Sequence, residues 1–267
     1  MLKDVTLGQF FPGTSLAHRL DPRTKLILTV LYIVGLFCAQ GIASYALMVA
    51  LLILGVKVSG VSPKALVKGL KPVLFIICFT AILNLFYTPG EPLVEFWIFK
   101  ITKEGIFTAF FMILRITLLI MGTFLLTYTT SPIALTDGLE ALLGPLKKIK
   151  VPVHELAMMM SIALRFIPTL IEETDKIMSA QKARGADFES GNVMEKAKAL
   201  VPILVPLFIS AFRRADELAV AMECRCYHGG DGRTKLHVLR YAARDYLVMA
   251  LYTAVLAGVI VLGRFGL

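Results

Sequence analysis

Arg184 and Arg225 stand in two stretches of matching chemistry. Each lies between two small residues, Ala183 and Gly185 in one case, Cys224 and Cys226 in the other. Each is followed by an aromatic and then glycine: Phe188 and Gly191, Tyr227 and Gly229-Gly230. An aspartate, Asp175 or Asp216, precedes each arginine by nine positions. Small flanking residues let another backbone approach closely and leave the guanidinium free for planar, bidentate contact with a carboxylate. A lone arginine at a helix end has a plainer use, complementing the negative end of the helix dipole. Two ends alike in one segment favour docking.

Other residue sets that could support catalysis lack the spacing for it. There is no G-x-x-x-x-G-K-[ST]; Gly229-Gly230-Asp231-Gly232-Arg233-Thr234-Lys235 has those letters in another order and reads as a helix stop and a turn. His18, His154, His228 and His237 are scattered. Cys224, Cys226 and His228 are too crowded for the paired ligand spacing of a zinc site. Cys38 and Cys78 lie in apolar runs, and the four cysteines read as reduced thiols rather than a disulfide framework. The expectation is a chain with no catalytic residues, metal or cofactor. Arg115 is the only charge between Gly105 and Tyr128. An intramembrane charge is a functional candidate by default; the structural alternative is a pin to backbone carbonyls, Asn84 or Glu155.

The elements that must hold the two arginines are helical. Leu156, Met160, Ala163, Ile167, Leu170, Thr174 and Met178 recur at spacings of three and four, as do Leu200, Leu204, Leu207, Ala211, Ala215, Leu218 and Met222. Such stripes are seams for helix packing. The opposite faces carry Glu172, Asp175, Lys176 and Lys182, and Arg213, Asp216, Glu217 and Glu223. Pro168, Pro202 and Pro206 predict local bends.

The rest of the chain is apolar. At 57% apolar and 18% charged residues, it departs from the ~45–50% and ~25% of soluble domains. That excludes a simple soluble enzyme, a secreted disulfide scaffold and a disordered tail. No cleavable signal peptide is read before the first apolar run. Spans are expected at 26–39, 43–56, 72–86, 105–128 and 246–262. Gln40-Gly41 divides the first run, whose rival reading is one long tilted span. The net charge of +9 is read as topology and anionic headgroup contact rather than nucleic-acid binding. Lys3, Arg19, Arg23 and Lys25, and then Lys57, Lys64, Lys68 and Lys71, flank the first spans, while 87–104 is net acidic. The N-terminus, 57–71 and 129–245 are therefore expected in the cytoplasm and 87–104 outside. The expected fold is an all-α integral membrane protein of about five spans and two long cytoplasmic helices. It divides into 1–128, 129–245 and 246–267.

Just before the first span, Ser15-Leu-Ala-His18-Arg19-Leu20-Asp21-Pro22-Arg23-Thr24-Lys25 resembles the transmembrane T components of energy-coupling factor transporters, importers of the ATP-binding cassette superfamily. Ala183-Arg184-Gly185 resembles the first of that family's two Ala-Arg-Gly signatures. Ala221-Met222-Glu223-Cys224-Arg225-Cys226 resembles the second, with Cys224 and Cys226 where the family has Ala and Gly. The departure bears on the backbone after Arg225, because cysteine enters a left-handed cap less easily than glycine. The resemblance implies a non-catalytic coupling subunit in the cell membrane that imports a vitamin or metal ion with its partners. Those partners are two cytoplasmic ATPases, seated on the arginine-bearing tips, and a membrane-embedded, substrate-binding S component. It also makes His18, Arg19, Asp21, Pro22 and Arg23 a family signature. The alternative is a self-contained carrier or intramembrane enzyme using Arg115 and His154. Against it stand spans nearly free of polar groups and the lack of repeated halves.

Overall fold

The computed structural model describes residues 10–89, 92–96, 99–186, 188, 192–230, 232 and 238–264. The fold is all-α, with helices α1 (Pro22–Cys38), α2 (Ile42–Ser59), α3 (Pro63–Leu70), α4 (Leu74–Tyr87), α5 (Lys103–Thr129), α6 (Pro132–Leu143), α7 (Val153–Ala183), α8 (Val193–Cys224) and α9 (Ala243–Arg264). Among the described residues the one piece of sheet is a short antiparallel hairpin between α4 and α5, β1 (Pro92–Phe96) with β2 (Phe99–Thr102). Two compact units form: Glu140–Val238, and the described residues of Gly8–Leu139 with Leu239–Leu267.

In the second unit the apolar run divides as expected. Gln40-Gly41 ends α1 and starts α2, with Gly41 as the N-cap. The starts of α1 and α9 meet, because the Asp21 N–H donates to Asp245. Their ends meet too, with Gly263 beside the Cys38 carbonyl, so the two run parallel. Ser44 at the start of α2 lies against Val259 late in α9, so α2 runs back. Tyr32, Leu36, Tyr45, Met48, Leu52, Leu118 and Val259 fill the core between α1, α2, α5 and α9. Tyr32 reaches across to donate to the Leu118 carbonyl at 3.1 Å. Val61, Leu66 and Tyr128 pack the start of α3 against the end of α5. Thus Lys25, Lys57, Lys64 and the end of α5 share one end of the unit, and the hairpin lies at the other.

Several polar groups in these helices bond back to their own helix, as lipid favours, while the buried Thr24 hydroxyl has no partner among the described residues. Thr80, Thr123, Thr127 and Thr129 each donate to the carbonyl four residues back, and the Asn84 amide does the same to Thr80. Arg115 is pinned: Nε donates to the Tyr45 hydroxyl at 2.8 Å and Nη2 to the Ala39 carbonyl at 3.2 Å.

Among the described residues five helical stretches are long and apolar enough to cross a membrane: Ile42–Ser59, Pro63–Tyr87, Lys103–Thr129, Val153–Ala183 and Ala243–Gly263. This set differs from the expected spans at two places. α1 has 17 residues, about 26 Å, slightly short of a ~30 Å hydrocarbon core. α7 qualifies because Glu172, Glu173, Asp175, Lys176 and Lys182 crowd its last third and leave a long apolar run before them.

Candidate functional site at two matched helix ends

α7 and α8 pack as an antiparallel pair. Glu173 accepts from Ser210 and from Arg214 Nη2, the latter at 3.0 Å. About two turns further along α7, Gln181 Nε2 donates to the Pro202 carbonyl at 3.4 Å. Both helices run through their prolines without interruption. On α8 the expected seam holds in its later part, where Leu207, Ala211, Leu218 and Met222 are half-buried, and fails at its start. Ile203 is buried, while Leu200 and Leu204 are exposed. On α7, Val153 and Ala157 are buried while Leu156 and Met160 stay exposed. Residues 199–209 of α8 are apolar all round, so their periodicity cannot select a face. The polar grip of Glu173 on Ser210 and Arg214 sets the register.

The two ends have one geometry. Arg184 caps α7 at φ −87°, ψ 5°, and Arg225 caps α8 at φ −94°, ψ 14°. The next residue turns left-handed in both, Gly185 at φ 87° and Cys226 at φ 55°. Gly185 N–H donates to the Lys182 carbonyl and Ala186 N–H to Gln181, each at 3.0 Å. Cys226 N–H donates to Glu223 at 2.8 Å and Tyr227 N–H to Met222 at 3.1 Å. These paired returns are the two bonds of a Schellman cap. The departure at Cys226 has therefore not changed the turn: cysteine adopts the backbone that glycine adopts in α7. Ala183, Arg184, Gly185, Cys224, Arg225 and Cys226 are all exposed. Among the described residues neither arginine side chain has a hydrogen bond or ion pair. Because the helices are antiparallel, the two ends point apart. Pro202 beside Gln181 lies about 35 Å along α8 from Arg225.

The second end is braced and the first is open. His154, at the start of α7, donates from Nδ1 to Glu140 at 2.9 Å. Gly230 lies on the imidazole so closely that a Cβ there would sit 2.3 Å from a ring carbon. Among the described residues nothing lies within 4 Å of a Cβ built on Gly185. Gly191, Asp231, Arg233, Thr234, Lys235 and His237 lie outside the described residues. The four cysteines are free thiols.

The signature before the first span gathers elsewhere, in the other unit. His18 Nε2 donates to the Phe11 carbonyl at 2.9 Å, which leaves Nδ1 of a neutral ring to accept from Ser15 at 2.7 Å. Arg19 is exposed. Asp21 caps α1 by accepting from the Arg23 N–H and takes the Arg23 guanidinium in both carboxylate oxygens, at 3.0 and 2.9 Å. Burial would raise the Asp21 carboxyl. The Arg23 hydrogen bonds and charge outweigh it and hold the group below the usual carboxylate range. Pro22 takes the first helical position. Sequence reasoning missed Asp245, Tyr241 and Glu140, which hold these residues and His154. Asp245 did leave a trace, as a lone acid just ahead of the last apolar run.

A multi-pass helical membrane chain with two matched, arginine-bearing helix ends is the class defined by this geometry. Residues 13–236 match the family CbiQ, described as cobalt transport protein, and the chain belongs to that family. It is 54% identical to the energy-coupling factor transporter transmembrane protein EcfT of Clostridium kluyveri, over 99% of this chain and 98% of that one. It is 53% identical to the protein of the same name from Thermosediminibacter oceani, over 99% of each. Against the one from Bacillus subtilis identity is 53%, over 93% of this chain and 94% of that one.

Proposed function

We propose that this chain is the non-catalytic coupling subunit of an energy-coupling factor importer for a vitamin or metal ion. Two ATP-binding cassette ATPases hydrolyse ATP, a membrane-embedded S component binds the substrate, and this chain carries motion between them. The observation that carries the reading is the pair of identical Schellman caps, each presenting an exposed arginine, at opposite ends of an antiparallel helix pair. That spacing suits one arginine per ATPase better than two in one groove. Arg184 and Arg225 seat against acidic residues there, with Ala183, Gly185, Cys224 and Cys226 giving close backbone access. Val201, Leu204, Val205, Phe208, Ile209 and Phe212 form an exposed apolar stripe on α8, and a stripe of that extent supports an apolar partner such as the S component.

The chain lies in the cell membrane with its N-terminus and 129–245 on the cytoplasmic side and the hairpin outside. The basic residues at one end of the membrane unit support that orientation. On this reading the spans are α1, α2, α4, α5 and α9, with α3 on the cytoplasmic side. The last-third charges of α7 keep it out of lipid, and 1–128, 129–245 and 246–267 are the three functional segments. Neither Arg115 nor His154 waits for a substrate here, since Ala39 and Tyr45 hold one and Glu140 holds the other.

The test compares lysine with alanine at both arginines, scored by co-purification of the ATPases. Truncating one partner of a buried charge-assisted pair costs ~2–5 kcal/mol, so either alanine weakens one docking site and the double change releases the ATPases. Lysine lacks the planar fork and rescues poorly. Dipole complementation alone is worth ~0.3–1 kcal/mol and predicts that lysine serves as well as arginine. Full rescue by lysine at both positions defeats the docking role.

A further inference from the structure

The start of α1 holds contacts that the docking ends do not use. The Asp21 N–H donates to Asp245 Oδ1 at 2.9 Å, and Asp245 Oδ2 accepts from the Ala242 N–H at 2.8 Å. The Arg23 guanidinium, clamped to Asp21, lies 3.9 Å from the centre of the Tyr241 ring. Lys25 Nζ donates to the Thr129 carbonyl at 2.9 Å. Pro22 packs against Gly138, where a Cβ would sit 3.0 Å from that of the proline. Thr24, between them, is fully buried.

Within these five residues Lys25 holds Thr129 and Pro22 meets Gly138, while Arg23 meets Tyr241 and Asp21 holds Asp245, which in turn holds Ala242. These partners lie on the two stretches by which the chain leaves for Glu140–Val238 and returns from it. A pull arriving along either stretch reaches the same helix start. Asp21, Lys25 and Asp245 are also buried, which costs desolvation that an apolar clasp would avoid. Directional hydrogen bonds fix geometry where an apolar clasp would let the two stretches slide.

We propose that Asp21–Lys25 forms a rigid joint that ties both connections of Glu140–Val238 to one helix start, so that motion of that region reaches α1, α5 and α9 together. The joint rests on the coupling role proposed above. Its members are positioning residues, acting through the connections they hold.

The test uses the full complex with ATPases and an S component in proteoliposomes. It measures retained ATPase, ATP hydrolysis and uptake of a tritiated vitamin matched to the S component supplied. Lys25→Met and Tyr241→Leu keep the ATPases and hydrolyse ATP, while vitamin taken up per ATP falls about fivefold or more, the lower end of typical coupling between sites. Tyr241→Phe keeps a flat ring beneath Arg23 and keeps the ratio. Should Lys25→Met not accumulate, Gly138→Ala, which crowds Pro22 and the Arg23 backbone nitrogen, carries the same readout. An unchanged ratio in the Leu and Met variants overturns the joint. So does loss of the ATPases together with uptake, or equal damage from Phe and Leu at 241. A wild-type chain that retains no ATPase overturns the coupling role instead, and the joint with it.

Discussion

Gly185 and Cys226 occupy the same place in two helix caps. Each follows the capping arginine, each has a left-handed backbone, and each N–H returns to the carbonyl three residues back, at 3.0 and 2.8 Å. Only one of them is glycine, and the strain is therefore unequal. Left-handed backbone costs a residue with a Cβ roughly 1–2 kcal/mol. Gly185→Ala, in open space, should weaken the first cap by about 1 kcal/mol, and Cys226→Gly should strengthen the second by a similar amount. Amide exchange at Ala186 and Tyr227 in the detergent-solubilised chain reads both. Faster exchange at Ala186 and slower exchange at Tyr227 are expected; equal, unmoved rates would mean that the caps do not carry this strain.

Gly230 and His154 supply a second, independent contact. A methyl at 230 overlaps the imidazole, so Gly230→Ala must turn His154 away from Glu140 or push the segment after α8 outwards. Overpacking of this kind costs about 1–3 kcal/mol. His154→Ala removes the obstacle, so the double variant should be more stable than the sum of the two single changes predicts. Thermal unfolding of the four proteins of this cycle gives the answer, and strict additivity would show that the two residues do not meet.

Much of this was legible beforehand, for physical reasons that differ by element. The split at Gln40-Gly41, the apolar spans and both arginine ends follow from local pattern, since caps and breaks are written within a few residues. The face that meets α7 at the start of α8 was not legible. Leu200, Ile203, Leu204 and Leu207 are interchangeable to a periodicity argument, and only Glu173, distant in sequence, chooses among them. The partners of His154 and Asp21 were hidden for the same reason. Glu140 and Asp245 are ordinary acids until the fold brings them to within 2.9 Å.

Topology follows from which ends share a side. Lys25 bonds the end of α5, and Val61 and Leu66 pack against Tyr128, so a reporter fused after Lys71 should report the same side as the N-terminus. By the positive-inside rule the basic excess there predicts a cytoplasmic reading. A reporter placed in 87–104 should read external, and one after Arg184 should read cytoplasmic. An external signal at Arg184 would remove the docking ends from any ATPase.

The Asp21 carboxyl makes one contribution pH-dependent. Its folded pKa lies below its unfolded value, so it stabilises the fold fully above the unfolded carboxylate value of about 4. The contribution fades as pH falls through the lower folded value. Asp21→Asn keeps an oxygen for the Arg23 N–H but loses the charge. The melting temperature should therefore differ between wild type and Asn at pH 7, and the gap should narrow below about pH 4. A gap that does not narrow at all as pH falls below the unfolded value would place the effect in shape rather than charge.

Arg115 decides between a pin and a pathway residue. It donates to the Ala39 carbonyl, at the turn between α1 and α2, and to the Tyr45 hydroxyl. Arg115→Leu leaves both acceptors without that donor in apolar surroundings, at about 1–3 kcal/mol for each unsatisfied group. The melting temperature of the purified chain should fall. Tyr45→Phe removes one of the same bonds, so the double variant should lose less than the sum of the singles. Chains that survive Arg115→Leu should still bind the ATPases and support vitamin uptake in proportion to the folded protein recovered. A carrier that routes its substrate past Arg115 behaves in the opposite way, with uptake abolished while the melting temperature and the bound ATPases stay as in wild type. That result would return the self-contained carrier to the front and make Tyr45 part of its path.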